Sequence, residues 1–342
     1  MRILTLGIAA FGVLLWLAHG NPSAADGAMF ANGLLPPVPV PADNPMDAAK
    51  VELGKQLYFD TRLSKDSTTS CATCHSPDHG WADPKPVSEG VGRQKGGRNA
   101  PTVLNSAYMP LQFWDGRAAT LEEQALGPIQ NPVEMAMTMV EALDRIKAIP
   151  GYVEAFRRIF GTEPTEEGVA KAIAAFERTV ISTDSPYDRY VRGNRSAMSP
   201  SAVRGMNLFN GKAHCTPCHS GPNFSDGDFH NLGVGYAAGR YADKGRFDVT
   251  KNPADLGKFK TPGLRSIALT APYLHDGSER TLADVIEFYD RGGNPNPNLD
   301  PLMLPLHLTA QEKADLVAFL EALTGEPVKI TPPTLPPAAG GK

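Results

Sequence analysis

The chain has 342 residues, enough for two domains of ordinary size, with 42% hydrophobic and 20% charged residues. That balance excludes intrinsic disorder, a collagen-like repeat and a coiled coil, while 33 glycines and 31 prolines point to a folded protein with long, shaped loops. A formal charge of −4, spread without a basic run or an Arg-rich helix, excludes nucleic acid as the partner.

The first element is the apolar run Ile3 to Ala18, which follows Arg2 and leads into Pro22-Ser23-Ala24-Ala25. Its sixteen residues are short for a membrane span, so residues 1–25 read as a secretory signal cleaved near Ala24 or Ala25. An uncleaved N-terminal anchor is the alternative. Either way the mature chain is exported; with the signal cleaved it has no stable membrane span and a periplasmic destination.

Next comes Gly54-Lys55-Gln56-Leu57-Tyr58, ahead of Cys71-Ala72-Thr73-Cys74-His75; later Gly205-Met206-Asn207-Leu208-Phe209 precedes Cys215-Thr216-Pro217-Cys218-His219. This weak internal repeat predicts a duplicated unit in which an amphipathic helix runs into a loop bearing two cysteines. Export turns an even cysteine count towards disulfides. The spacing argues for another chemistry: Cys-x-x-Cys-His is the pattern of c-type haem attachment, where two thiols add to porphyrin vinyl groups and the adjacent histidine binds iron. A thioredoxin-like pair does not need the histidine, and a four-cysteine zinc site wants its pairs far closer than the 144 residues between Cys71 and Cys215.

Val169, Ile173, Phe176 and Val180 share one helical face and predict the helix that closes the first half. Ser199 and Pro200 start a helix that Gly211 stops. Thr309 with Glu312 forms a capping box before Leu316, Val317, Leu320 and Leu323, with Gly325 as the end of that last helix. No sustained strand alternation appears. The expected fold is therefore mainly α: two cytochrome c-like helical domains, 26–185 and 186–330, joined near Ser182 to Ser199, each with one covalently bound c-type haem. Residues 331–342, rich in proline and glycine, form an extended strap or a disordered tail.

With these motifs in order, the chain resembles the bacterial di-haem cytochrome c peroxidases and their MauG branch, from about Lys50 to Gly325. Besides the haem motifs, the resemblance rests on Gln94-Lys95-Gly96, the run Arg98 to Asn105, Phe113-Trp114-Asp115-Gly116-Arg117, Val133-Glu134-Met135, Lys244-Gly245-Arg246-Phe247, and Leu269-Thr270-Ala271-Pro272-Tyr273 with His275. It implies that the first haem, on Cys71, Cys74 and His75, meets hydrogen peroxide, while the second, on Cys215, Cys218 and His219, handles electrons. It also implies a calcium ion between the halves, held by Asn99 through its side chain and by the carbonyls of Thr270 and Pro272, oxygen donors that suit this ion. Glu134 is placed over the first haem as the acid–base group, with Gln124 and Pro128 in the same distal pocket and Trp114 between the haems as a charge relay.

Two departures select a branch. Where reductively activated peroxidases carry a distal histidine, this chain has Val91, which cannot bind iron, so the first haem is expected to keep an open side. Where those peroxidases place a methionine on the second haem, fourteen residues after the histidine matched by His275, the chain has Tyr289, as MauG does. Periodicity alone makes Tyr289 a core aromatic, on one stripe with Leu282, Val285 and Ile286. Met303 is its competitor as ligand, His230 and His307 are further possible ligands, and Met206 and Trp81 read as packing.

The implied activity is use of peroxide to form a high-valent state shared by both irons, which oxidises a residue, tryptophan by family precedent, of an exported partner protein. Ala213 stands where MauG has a surface tryptophan. That favours the type of the methanobactin-associated relative MbnH, which makes kynurenine, over quinone crosslinking. A detoxifying peroxidase fed by a small cytochrome or cupredoxin and a non-enzymatic di-haem electron carrier are the rival readings. Monomer and homodimer remain equally open.

Overall fold

The structure, a computed structural model, describes residues 33–326 and 329–338. The expected signal sequence, 1–25, lies outside the described residues. Helices dominate, as the patterning predicts. In the first half they are α1 (Ala48–Phe59), α2 (Cys71–Cys74), α3 (Leu121–Gln130), α4 (Met139–Lys147), α5 (Pro150–Phe160) and α6 (Glu166–Glu177). In the second half they are α7 (Pro186–Val191), α8 (Pro200–Asn210), α9 (Phe247–Thr250), α10 (Leu282–Asp290) and α11 (Ala310–Ala322). Most of the longer ones start at a side chain that takes an orphan N–H: Asp47, Thr120, Thr138, Thr165, Ser199, Thr281 and Thr309.

Two small antiparallel pairs accompany them, β1 (Phe229–His230) with β4 (Phe259–Lys260) and β2 (Tyr236–Ala237) with β3 (Arg240–Tyr241). Two-residue strands carry no alternation, so patterning is blind to them.

The repeated glycine has a physical cause. Helix α1 crosses α6 and helix α8 crosses α11. A methyl group on Gly54 would lie 1.8 Å from the Ala172 carbonyl oxygen, and one on Gly205 would lie 1.9 Å from that of Asp315. Only a residue without Cβ lets these backbones touch. Around each crossing sits a separate buried cluster. One holds Leu53, Leu57, Tyr58, Trp81, Ile173 and Phe176; the other holds Met206, Phe209, Phe224, Leu316, Phe319 and Leu320. Trp81 and Met206, both 1% exposed, are packing residues as expected.

Two helix boundaries differ from expectation. Val180 is fully buried with Val169, Ile173 and Phe176, but α6 ends at Glu177 and Val180 belongs to the turn that follows, its N–H donating to the Glu177 carbonyl. Helix α11 ends at Ala322 with Leu323 as its cap, three residues before Gly325. Gly325 serves close approach instead: a Cβ there would stand 2.3 Å from the Thr183 carbonyl oxygen in the linker.

The chain end crosses back to the first half as a strap. Ile330 packs on the first core, Arg62 Nη1 donates to the Pro336 carbonyl at 2.9 Å, and Gln56 reaches that of Thr334. No helix among the described residues is long and apolar enough to cross a membrane.

Gly205→Ala must force α8 and α11 apart. Overpacking of this kind costs about 1–3 kcal/mol, so we expect a lowered chemical-denaturation midpoint; an unchanged midpoint would show that the crossing tolerates a side chain.

Candidate haem sites and the seam between them

Each repeat delivers its cysteines from the end of the crossing helix. In the first, Cys71 and Cys74 bracket the single turn α2, the His75 N–H returns to the Cys71 carbonyl at 2.9 Å, and the Tyr58 hydroxyl of α1 holds the His75 carbonyl at 3.1 Å. In the second, the Cys215 N–H donates to the Phe209 carbonyl and the His219 N–H to that of Cys215. None of the four cysteines is paired in a disulfide. Burial pushes Cys74 up to about 11 and Cys215 up to about 12, and Cys71 is raised as well.

Both histidines are prepared as ligands. His75 Nδ1 meets the Pro101 carbonyl and His219 Nδ1 that of Phe224, each at 2.9 Å, while burial lowers both pKa values. A neutral ring whose Nδ1–H is tied to a carbonyl keeps its lone pair on Nε2.

A mainly apolar cavity of about 250 Å³ opens beside the second pair, lined among others by Cys215, Cys218, His219, Tyr289 and Met303. Tyr289 stands on α10, half-buried, its phenol raised by burial and by the cysteine sulfurs nearby. The stripe Leu282, Val285 and Ile286 lines the same cavity, so the periodic signal marked a cavity wall. His230 lines it too, but Nδ1 contacts Asp300 at 2.7 Å and Nε2 contacts Asp226 at 3.0 Å. The Cys218 sulfur and these carboxylates raise it to about 10, and a ring engaged at both nitrogens is not available to iron. His307 is exposed. Ala213, 4% exposed, belongs to the cavity lining and offers no surface.

Near the first pair, burial is the main cause that raises the Cys71 and Cys74 thiols, and the Glu134 charge adds to it. Burial lifts the Glu134 pKa itself above the usual carboxylate range; the Arg117 charge and a 2.6 Å hydrogen bond from Asn131 Nδ2 oppose that. Arg117 lies 3.5 Å from the Phe113 ring centroid, and that ring faces Gly127, on the same helix as Gln124 and Pro128. The loop with Val91 is locked to this one: the Val91 N–H donates to the Glu134 carbonyl at 2.8 Å, and a Cβ on Gly90 would stand 2.2 Å from the Val133 oxygen. Sequence reasoning missed Arg117 and Asn131, although Asn131 sits three residues before Glu134.

Between the halves, Trp114 donates its Nε1–H to the Asn99 carbonyl at 2.9 Å and accepts the Lys260 N–H at 2.8 Å. The His275 ring meets the indole edge at 6.5 Å and stacks on Phe259 at 3.5 Å. Arg98 closes the seam, bonded to Asp243 from the second half and Asp115 from the first.

The profile described as "Di-haem cytochrome c peroxidase" matches residues 48–196. "Cytochrome-c peroxidase IdrP1" of Pseudomonas sp. (strain SCT) is 44% identical over 88% of this chain and 88% of its own length. The "Methylamine utilization protein MauG" of Methylorubrum extorquens is 44% identical over 87% of this chain and 85% of its own. The chain belongs to the di-haem cytochrome c peroxidase and MauG family. Among solved structures, a "MauG-like protein associated with microbial copper homeostasis" superposes with a TM-score of 0.78 at 37% identity, covering 85% of this chain and 94% of that one. The chain is thus an oxidoreductase of a di-haem family.

Replacing Cys215 and Cys218 together by serine is expected to reduce two covalent haems per chain to one, on Cys71 and Cys74. Intact-mass and pyridine-haemochrome measurements check this; two haems on the double variant would overturn the attachment.

Proposed function

We propose that this protein uses hydrogen peroxide to oxidise a residue, tryptophan by preference, of an exported partner protein. The observation that carries the reading is Tyr289: a phenol, in place of methionine, in the cavity wall that holds Cys215, Cys218 and His219. Haems held by the two cysteine pairs would supply peroxide binding and redox chemistry, and a phenolate donor from Tyr289 would favour the oxidised states of the second.

The chain's own residues divide the remaining work. Cys71, Cys74 and His75 hold the first haem, and Cys215, Cys218, His219 and Tyr289 the second. Glu134 takes the proton from the near peroxide oxygen and returns it to the leaving one. Asn131 fixes the carboxylate oxygen, Arg117 keeps its proton affinity in a useful range, and Gln124 and Pro128 line the pocket. Val91 puts an aliphatic side chain, which cannot bind iron, in the loop bonded to Glu134. Trp114 carries charge across the seam, its indole held at Nε1 by Asn99.

Calcium is the ion we assign to the same seam. The Asn99 side-chain oxygen and the Thr270 and Pro272 carbonyls accept no hydrogen bond among the described residues, and the Asn99 N–H is tied to the His275 carbonyl at 2.7 Å. Three such oxygens are a donor set for this ion.

The rival reading, peroxide reduction with electrons from a small cytochrome or cupredoxin, draws on Met303, which lines the same cavity. Sulfur ligation would raise the second potential and favour electron uptake. A periplasmic location follows from the export signal and is part of either reading.

Two experiments test the proposal. Peroxide added to the fully ferric protein without reductant is expected to remove both the high-spin and the low-spin ferric signals in electron paramagnetic resonance, and Tyr289→Met is expected to retain the low-spin one. Turnover that starts only after pre-reduction would establish the rival. For Glu134, proton uptake requires the carboxylate, so peroxide cleavage is present above its pKa and lost as pH falls through it. Removing the Arg117 charge raises that pKa further, so Arg117→Gln should move the acid limb of the stopped-flow rate to higher pH. An unmoved limb would remove Glu134 from the proton path.

A further inference from the structure

Lys260 is a charged side chain that the roles above leave without work. It stands on β4, paired in register with Phe229, and its neighbour Phe259 turns to the other face, onto His275. Lys260 is 8% exposed and lines the cavity beside Cys215, Cys218 and His219. Its ammonium has no hydrogen bond and no ion pair among the described residues, whereas its backbone N–H is fixed on the Trp114 carbonyl. Asp300, on the same cavity wall, already holds His230.

A lone ammonium facing an apolar cavity is strongly disfavoured unless an anion meets it. Burial lowers its pKa to about 8, which still leaves it mostly protonated at neutral pH. The one carboxylate in the lining, Asp300, is committed to His230, so the missing anion belongs to whatever fills the cavity. A c-type haem carries two carboxylates, its propionates.

We propose that Lys260 Nζ is the counter-ion of a propionate of the haem held by Cys215, Cys218 and His219. The inference rests on this cavity holding a haem. The ammonium neutralises a negative charge that would otherwise stabilise the ferric iron, so Lys260 raises the second haem's potential against the pull of its phenolate ligand. Because the Lys260 amide is bonded to Trp114, this charge is set in register with the indole of the seam.

The test compares Lys260→Met and Lys260→Arg holoproteins by haem count and by spectroelectrochemical titration of the low-spin haem. Lys260→Met is expected to keep both haems and to shift the reduction equilibrium of that haem about tenfold towards ferric, about 59 mV lower for one electron. Lys260→Arg should titrate with the wild type. An unchanged midpoint in Lys260→Met with both haems attached overturns the proposal. If that variant fails to mature, a crystal structure of the wild-type holoprotein decides: Nζ within about 3.2 Å of a propionate oxygen supports it, and Nζ bound to a protein carbonyl or carboxylate overturns it. A wild-type chain with no haem on Cys215 and Cys218 would instead overturn the cofactor reading beneath it.

Discussion

Two helix crossings, each closed by one glycine, position everything else. At Gly54 and Gly205 the backbone of one helix touches a carbonyl of another, and any side chain would hold them apart. Four residues further on, each helix presents an aromatic to the loop it feeds. Tyr58 is fully buried against Trp81 and Phe176 and bonds the His75 carbonyl; Phe209 packs on Phe224 and Phe319 and anchors Cys215 through its own carbonyl. Rigid crossings thereby fix where the thiols and ligand histidines stand. That precision matters for a group bound at three points, because a shift of one ångström at the helix would misplace all three.

The halves then meet through charge as well as apolar contact. Arg98 grips Asp243 with two nitrogens and Asp115 with a third, and Arg246 bonds the carbonyls of Asp115 and Gly116. Partly buried ion pairs add little net stability, yet misaligning them leaves desolvated charges alone, so they fix register. The element they register is Trp114, next to Asp115 in sequence and bonded to residues of both halves. The C-terminal strap adds a second tie, returning Ile330 and Pro336 to the first half.

The legible parts of this protein were those whose chemistry demands contiguous residues. Haem attachment needs two thiols and a histidine within five positions, and helix caps need a hydroxyl or carboxylate beside the N–H they take; both stand in sequence order. The repeat around Gly54 and Gly205 was visible, but its reason was not, since the opposing carbonyls lie on helices more than a hundred residues away. Tyr289 shows the limit of periodicity: a core face and a cavity wall give the same stripe, and only the thiols opposite distinguish them. The seam was opaque for the same reason. Arg98 and Asp243 are 145 residues apart, and Lys260 is an isolated lysine on a two-residue strand.

The two sites differ in the charge they offer. The first keeps a carboxyl, Glu134, whose proton affinity is raised by burial and moderated by Arg117 and Asn131. At the second, His230 is clamped by two carboxylates, and burial and the nearby cysteine sulfurs raise the Tyr289 phenol. Two sites with such different charged groups are an asymmetric pair built on one duplicated frame. Identical frames would give identical chemistry. On the proposed reading the division of labour would reside in a handful of side chains, Glu134 and Val91 on one side, Tyr289 and Lys260 on the other, with Trp114 held between them by bonds to both halves.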